Sequence, residues 1–215
     1  MDKYHKIQTV FLRDPDNKYK TLLEGQFSKP EFELLKDIDW IGTEKIDGTN
    51  IRVMFDGENI KFNGRSNDSQ IPKFLLKRLE KIFTIKKMQK QFGTDVHVCL
   101  YGEGYGAKIQ KAGIHYVPDN TDFILFDVKI GHWWLKREAL ENITKSLKIN
   151  LVPIIFKGKL LDAVELVKEG FISTIANNKD HIAEGLILKP KIELFNRKGE
   201  RIITKIKYRD FPRKK

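Results

Sequence analysis

The stretch Thr43-Glu44-Lys45-Ile46-Asp47-Gly48-Thr49-Asn50 decides the reading of this chain. On one side of it Trp40–Glu44 reads as a short strand. On the other Thr49–Phe55 reads as a second, both rich in β-branched and aromatic residues. Between them a lysine flanked by acids precedes an Asp-Gly pair, whose tolerance of positive φ marks a tight turn. Taken alone, this is at least as readily a hairpin with surface charges as a lysine presented for chemistry. A lysine is a nucleophile only as the free amine, a form favoured by burial or by neighbouring cations. The chain supplies such cations in Lys189, Lys205 and Lys207, provided the fold gathers them.

Further strands are expected at Asn59–Arg65, Val96–Gly102, Phe123–Lys129, Gly185–Pro190 and Arg201–Tyr208. In the last of these, lysines alternate with apolar residues, which sets Lys205 and Lys207 on one face and turns Ile206 to the other. Phe55-Asp56-Gly57-Glu58 reads as a hairpin turn. Helical spacing begins after Pro72, a first-turn residue, with Leu75, Leu76, Leu79, Ile82 and Phe83 on one stripe. Two more helices are expected at Lys136–Leu147 and Leu161–Lys168, the latter capped by Asp162. No composition shift marks a boundary. The expectation is one α+β domain over residues 1–215, with mixed and antiparallel sheets and flanking helices.

Composition narrows the function. With 40 Lys and Arg against 29 Asp and Glu, the net charge is +11, which favours an anionic partner such as nucleic acid. The basic run Lys73–Lys90 reads more simply as a solvated helix face. A single cysteine, Cys99, excludes a disulfide framework and a Cys-based zinc site within the chain. The five histidines are scattered without ligand spacing, and phosphate-loop, HExxH and GxSxG patterns are missing from the sequence. Met1 to Phe11 holds no apolar signal region and no stretch reaches membrane-spanning length, so a reducing cytoplasm and no membrane partner are expected. Gly102-Glu103-Gly104-Tyr105-Gly106-Ala107 fits a dinucleotide fingerprint only weakly and reads as a glycine turn presenting Glu103 to a ligand.

Six segments in order then carry a resemblance: EKIDGTN (44–50), NGRSN (63–67), LYGEGYG (100–106), FILFDV (123–128), AEGLILKPK (183–191) and TKIKYRDF (204–211). The series resembles the motif set of the covalent nucleotidyltransferases, which include DNA ligases, RNA ligases and capping enzymes. It is most similar to ATP-dependent RNA ligases of the RNA ligase 2 type, familiar from bacteriophages. The resemblance implies an ATP-grasp-like adenylyltransferase (nucleotidyltransferase) domain. It makes Lys45 the nucleophile toward the α-phosphorus of ATP, with Glu44 beside it in the nucleotide site. Glu103 would accept a hydrogen bond from the ribose, and Phe126 would stack on adenine in preference to Phe123. Glu184 would bind Mg²⁺ or Mn²⁺, while Lys189, Lys205 and Lys207 contact the α-phosphate. Asn50 and Arg65 would orient phosphate and the incoming strand.

The implied activity is sealing of RNA ends, a 5′-phosphate to a 3′-hydroxyl, with a nicked duplex as a further form of substrate. Asp47 stands where RNA ligase 2 enzymes often carry histidine, which keeps a minimal DNA nick ligase open as the alternative. A non-catalytic nucleic-acid-binding module is the alternative from another class. Only eight residues follow Lys207, so neither an OB-fold nor a helical C-terminal domain is expected. A separate subunit is one replacement, and the basic tail (Arg209, Arg213, Lys214, Lys215) another source of phosphate contacts.

Overall fold

The computed structural model describes residues 3–212. Of the basic tail, Arg213, Lys214 and Lys215 lie outside the described residues. In chain order the elements begin with β1 (Gln8–Thr9), β2 (Phe11–Arg13), β3 (Leu22–Phe27), α1 (Pro30–Leu34), β4 (Trp40–Glu44), β5 (Thr49–Phe55) and β6 (Ile60–Asn63). They continue with α2 (Lys73–Ile82), α3 (Ile85–Phe92), β7 (Val98–Gly106), α4 (Gly113–Tyr116), β8 (Thr121–Ile130) and β9 (Trp133–Trp134). The last are α5 (Arg137–Leu147), β10 (Asn150–Leu151), β11 (Ile154–Gly158), α6 (Leu160–Glu169), β12 (Gly185–Pro190), β13 (Thr204–Lys207) and a 3₁₀ turn at Tyr208–Asp210.

The chain divides into two compact units, each returned to more than once. One holds Asp47–Val152, the segment ending at His5 and Ala176–Asn178. Its sheet runs β10-β8-β7-β5-β6, with β9 beside β8. Ile51, Val53 and Phe55 of β5 and Val98 and Leu100 of β7 point to one face, where Leu75, Leu79, Met88, Leu140 and Ile143 from the helices close a core. The other unit holds Lys6–Ile46, Pro153–Ile175 and the chain from Lys179 onward. Its sheet runs β1-β13-β12-β4-β11, parallel only at β1–β13, and β2 and β3 form a separate pair. Trp40, Leu186, Leu188 and Ile206 turn inward against Leu160, Ala163, Val164 and Val167 on α6.

The α+β class, with mixed sheets and flanking helices, is the one read from the sequence. Strands β4, β5 and β12 fall on the expected residues. The Asp56-Gly57 turn also forms: Asp56 accepts from the amides of Glu58 and Asn59, and Gly57 adopts φ +100°. Four expectations change. Asp162 lies in the first turn of α6 and does not cap it, since the helix starts earlier, behind Lys159. Pro72 occupies the N-cap of α2, one place before the first turn. The basic run Lys73–Lys90 is two helices, because Phe83 is extended and the Thr84 hydroxyl accepts from the amide of Lys87 to start α3. The glycines after Tyr101 form no turn and instead continue β7 as far as Gly106.

The physical reason for that last difference is packing. A Cβ on Gly102 would stand 2.2 Å from the Phe123 ring, and one on Gly104 would stand 2.5 Å from Leu75. Glycine therefore lets β7 approach the core on one face, while Glu103 between them points to the other. The Asp47-Gly48 turn closes no hairpin either, since β4 and β5 enter different sheets.

Candidate nucleotidyltransferase site

In the unit built on β4, β12 and β13, strand register decides which side chains can act. Leu186 pairs with both Glu44 and Ile206, so these three share the core face. Ile187 pairs with Thr43 and Lys205, and Gly185 with Lys207, so those residues share the opposite face. Alternation places Lys45, just beyond Glu44, on this second face with Lys189, Lys205 and Lys207. The backbone fixes it there: the Lys45 amide donates to Gly185 O at 2.9 Å.

Lys45 Nζ donates to Glu184 Oε2 at 2.6 Å, and Lys207 Nζ to Oε1 of the same carboxylate at 2.7 Å. The three side chains keep only 20%, 10% and 14% of their exposure for Lys45, Glu184 and Lys207. Burial pushes the Glu184 carboxyl up, but the two ammonium groups outweigh it and hold the group below the usual carboxylate range. Beside the cations expected around Lys45, the structure thus places a carboxylate partner that the sequence reading did not pair with it. Lys189 and Lys205 are half-buried on the same face.

Glu44 is handled differently. Its carboxylate is 1% exposed and accepts from the hydroxyl of Ser173, and from the amide and hydroxyl of Thr174 at 3.0 and 2.8 Å. The sequence offered no sign of Ser173 or Thr174, which come from a loop more than 120 residues away.

In the other unit, Asn50 and Glu103 stand opposite one another across β5 and β7, on the face turned from the core. Asn50 Oδ1 is buried without a hydrogen-bond partner. A bulge in β7–β8 makes Tyr101 pair with Asp127 and Gly102 with Leu125. Leu125 and Val128 both enter the core, so Phe126 and Asp127 between them lie outside it. Phe126 is half-buried, edge-on to Tyr4 at 5.1 Å, whereas Phe123 is sealed in the core against Phe83. Gly48 packs tightly here, since a Cβ would stand 2.7 Å from Glu103 Cγ. Arg65 is exposed on the loop after β6. Arg52, buried in mid-strand, was passed over although a charge inside Ile51-Arg52-Val53 is a visible anomaly.

Cys99 is buried, and desolvation pushes its thiol up to about 11, which leaves it protonated and inert at neutral pH. Among the described residues, no group of three or more His, Cys, Asp or Glu side chains could cage a metal. Glu184 has both carboxylate oxygens held by Lys45 and Lys207, so it would take a divalent cation only by releasing one of them or through water. Among the same residues no helix is long and apolar enough to cross a membrane.

A strand-end lysine, a carboxylate it shares with a second lysine and two further strand-borne lysines thus lie on one face of the β4, β12 and β13 strands, within one unit. Residues 38–207 match the RNA ligase family, 170 of the 215 residues, and the chain belongs to that family. Comparison with curated proteins finds no match. Among solved structures, the fold is similar to variants of Naegleria gruberi RNA ligase. One with ATP and Mn shares 20% identity and a TM-score of 0.63, over 85% of this chain and 54% of that one. Another with ATP and Mn gives 18% identity and 0.67 over 96% and 56%, and one with AMP and Mn gives 18% and 0.63 over 94% and 56%. The chain spans a little over half the length of these relatives.

Proposed function

We propose that this chain is an ATP-dependent RNA ligase acting through a lysyl-adenylate on Lys45. The reading is carried by one observation: Lys45 and Lys207 grip the two oxygens of Glu184 on a strand face that also bears Lys189 and Lys205. Family membership supports the same reaction class.

In this reading the bridge to Glu184 opens and Lys45 gives its ammonium proton to water, leaving the free amine. The lysines on the same face, Lys189, Lys205 and Lys207, disfavour a further positive charge at that place. The amine then attacks the α-phosphorus, the bond to the β-phosphate oxygen breaks, and pyrophosphate leaves. Lys189, Lys205 and Lys207 hold the α-phosphate oxygens as charge shifts toward the leaving group. Glu103 accepts from the ribose hydroxyl, Phe126 stacks on adenine, and Asn50 and Arg65 orient phosphate. AMP passes to the 5′-phosphate of an RNA end, and a 3′-hydroxyl displaces it to form the phosphodiester. Glu184 holds Mg²⁺ or Mn²⁺, directly or through water, and the ion when bound neutralises phosphate charge. We assign the Glu44 side chain to bracing Ser173 and Thr174, and not to nucleotide contact.

The test is incubation with α-labelled ATP and Mg²⁺ or Mn²⁺. Acid-labile label on the wild type, lost in Lys45→Ala, is expected. A folded wild type that takes up no label refutes the proposal. Label preferentially from GTP redirects it to capping chemistry, and nick sealing that needs DNA at the 3′-hydroxyl redirects it to DNA ligation.

A further inference from the structure

We propose that Arg52 is a positioning residue that sets the geometry of Arg65, a role that rests on the ligase reading above. Arg52 is fully buried in the middle of β5, on the face that carries Asn50, while Ile51 and Val53 fill the core opposite. Among the described residues it forms no ion pair with a carboxylate. Its guanidinium reaches the segment around Arg65 instead. Nε donates to Gly64 O and Nη2 to Asn67 Oδ1, both at 2.9 Å.

The segment is tied at further points. Asn63, paired with Arg52 across the strands, donates from Nδ2 to Asn67 O at 3.2 Å, and the hydroxyls of Ser66 and Ser69 bond at 2.6 Å. Arg65 stands exposed in the middle of this cross-tied loop.

Burying a cation with no counter-charge is unfavourable, and an apolar side chain of similar volume would stabilise the strand better. The network is also incompletely satisfied, because Arg52 Nη1 and Asn63 Oδ1 are buried without partners. Stability alone therefore gives a poor account of Arg52. What the charge does accomplish is geometric. The planar fork meets two acceptors on either side of Arg65 in one rigid geometry, which the rotatable ammonium of a lysine does not impose. Arg52 thereby fixes the direction in which Arg65 leaves the loop, the requirement for a residue that orients a phosphate.

The experiment measures sealing of pre-adenylylated RNA by Arg52→Lys, Asn67→Ala, Arg65→Ala and the two double variants with Arg65→Ala. Each single variant at Arg52 or Asn67 is expected to slow sealing by about 10-fold or more. Neither should slow it further when Arg65 is already alanine, since residues acting through one group are non-additive. Losses that multiply in the double variants, or sealing at the wild-type rate in both singles, overturn the proposal. Should Arg52→Lys fail to fold, Asn67→Ala decides alone, because Asn67 is exposed. A wild type that neither takes label from ATP nor seals brings down the ligase reading and this proposal with it. A labelled, sealing wild type with multiplying losses brings down this proposal only.

Discussion

Replacing Glu184 by glutamine removes one charge and keeps the shape, so it isolates the electrostatics of the lysine pair. In the wild type the carboxylate accepts from Lys45 at 2.6 Å and from Lys207 at 2.7 Å, with all three side chains largely shielded from water. Hydrogen bonds to charged groups contribute about 1.5–3 kcal/mol each. Glutamine retains one acceptor oxygen, and the freed lysine can swing toward solvent, so the net loss is set near the low end, about 2 kcal/mol at pH 7. For a chain of this size that lowers Tm by about 4–8 °C. The pH dependence fixes the cause. The folded-state carboxyl lies below its ordinary 4.5, so its stabilisation is present above that pH and is lost as pH falls through the folded value. Urea unfolding, followed by tryptophan fluorescence, should give the same gap between variant and wild type at pH 7 and pH 6. At pH 3.5 the gap should narrow. A gap that stays constant into acid, or no gap at neutral pH, would refute the ion-pair account.

Three further outcomes are expected. Lys45→Ala should abolish labelling by ATP yet still join pre-adenylylated RNA, because the last step does not use the amine; equal loss of both activities would remove Lys45 from its role. Phe126→Ala should raise KM for ATP with little change in urea midpoint, whereas Phe123→Ala should lose about 3–5 kcal/mol of stability from its sealed core position, and the reverse pattern would exchange the two assignments. Gly102→Ala should destabilise by about 1–3 kcal/mol, since its Cβ would overlap the Phe123 ring, and a neutral result in thermal melting would contradict the close approach of β7.

The period-2 rule made much of this legible. Alternation in Thr204-Lys205-Ile206-Lys207 was enough to put both lysines on one face, and Ile206 is fully buried on the other. The same rule separated Phe123 from Phe126 even though a bulge, which the sequence does not announce, leaves Phe126 as the unpaired residue between Leu125 and Asp127. Long-range partners were not legible. Nothing local to Ser173 says that its hydroxyl will meet Glu44, because that contact depends on β11, α6 and the loop after it folding back. The glycines after Tyr101 were misread for a related reason: glycine signals a turn locally, yet here its missing side chain serves a neighbour on another strand. The two-unit division left no trace in composition because each unit is assembled from separated segments of equally mixed sequence.

The adjacent residues Glu44 and Lys45 make the clearest case for how this chain builds chemistry from strand geometry. They differ by one step along a strand, and that step sends one carboxylate into a buried hydrogen-bond cage and one amine to a face lined with lysines. The residue opposite has to permit the arrangement. Gly185 adopts φ +147°, and a Cβ there would stand 2.0 Å from the carbonyl of Ile206. Its own carbonyl receives the Lys45 amide, while the carbonyl of Glu184 beside it receives the amide of Tyr208. The backbone of both members of the ion pair is therefore fixed by strand hydrogen bonds before either side chain is considered. In the proposed reaction only their side chains would have to move for the bridge to open, so the entropy of positioning Lys45 would be met largely by folding and not by substrate binding.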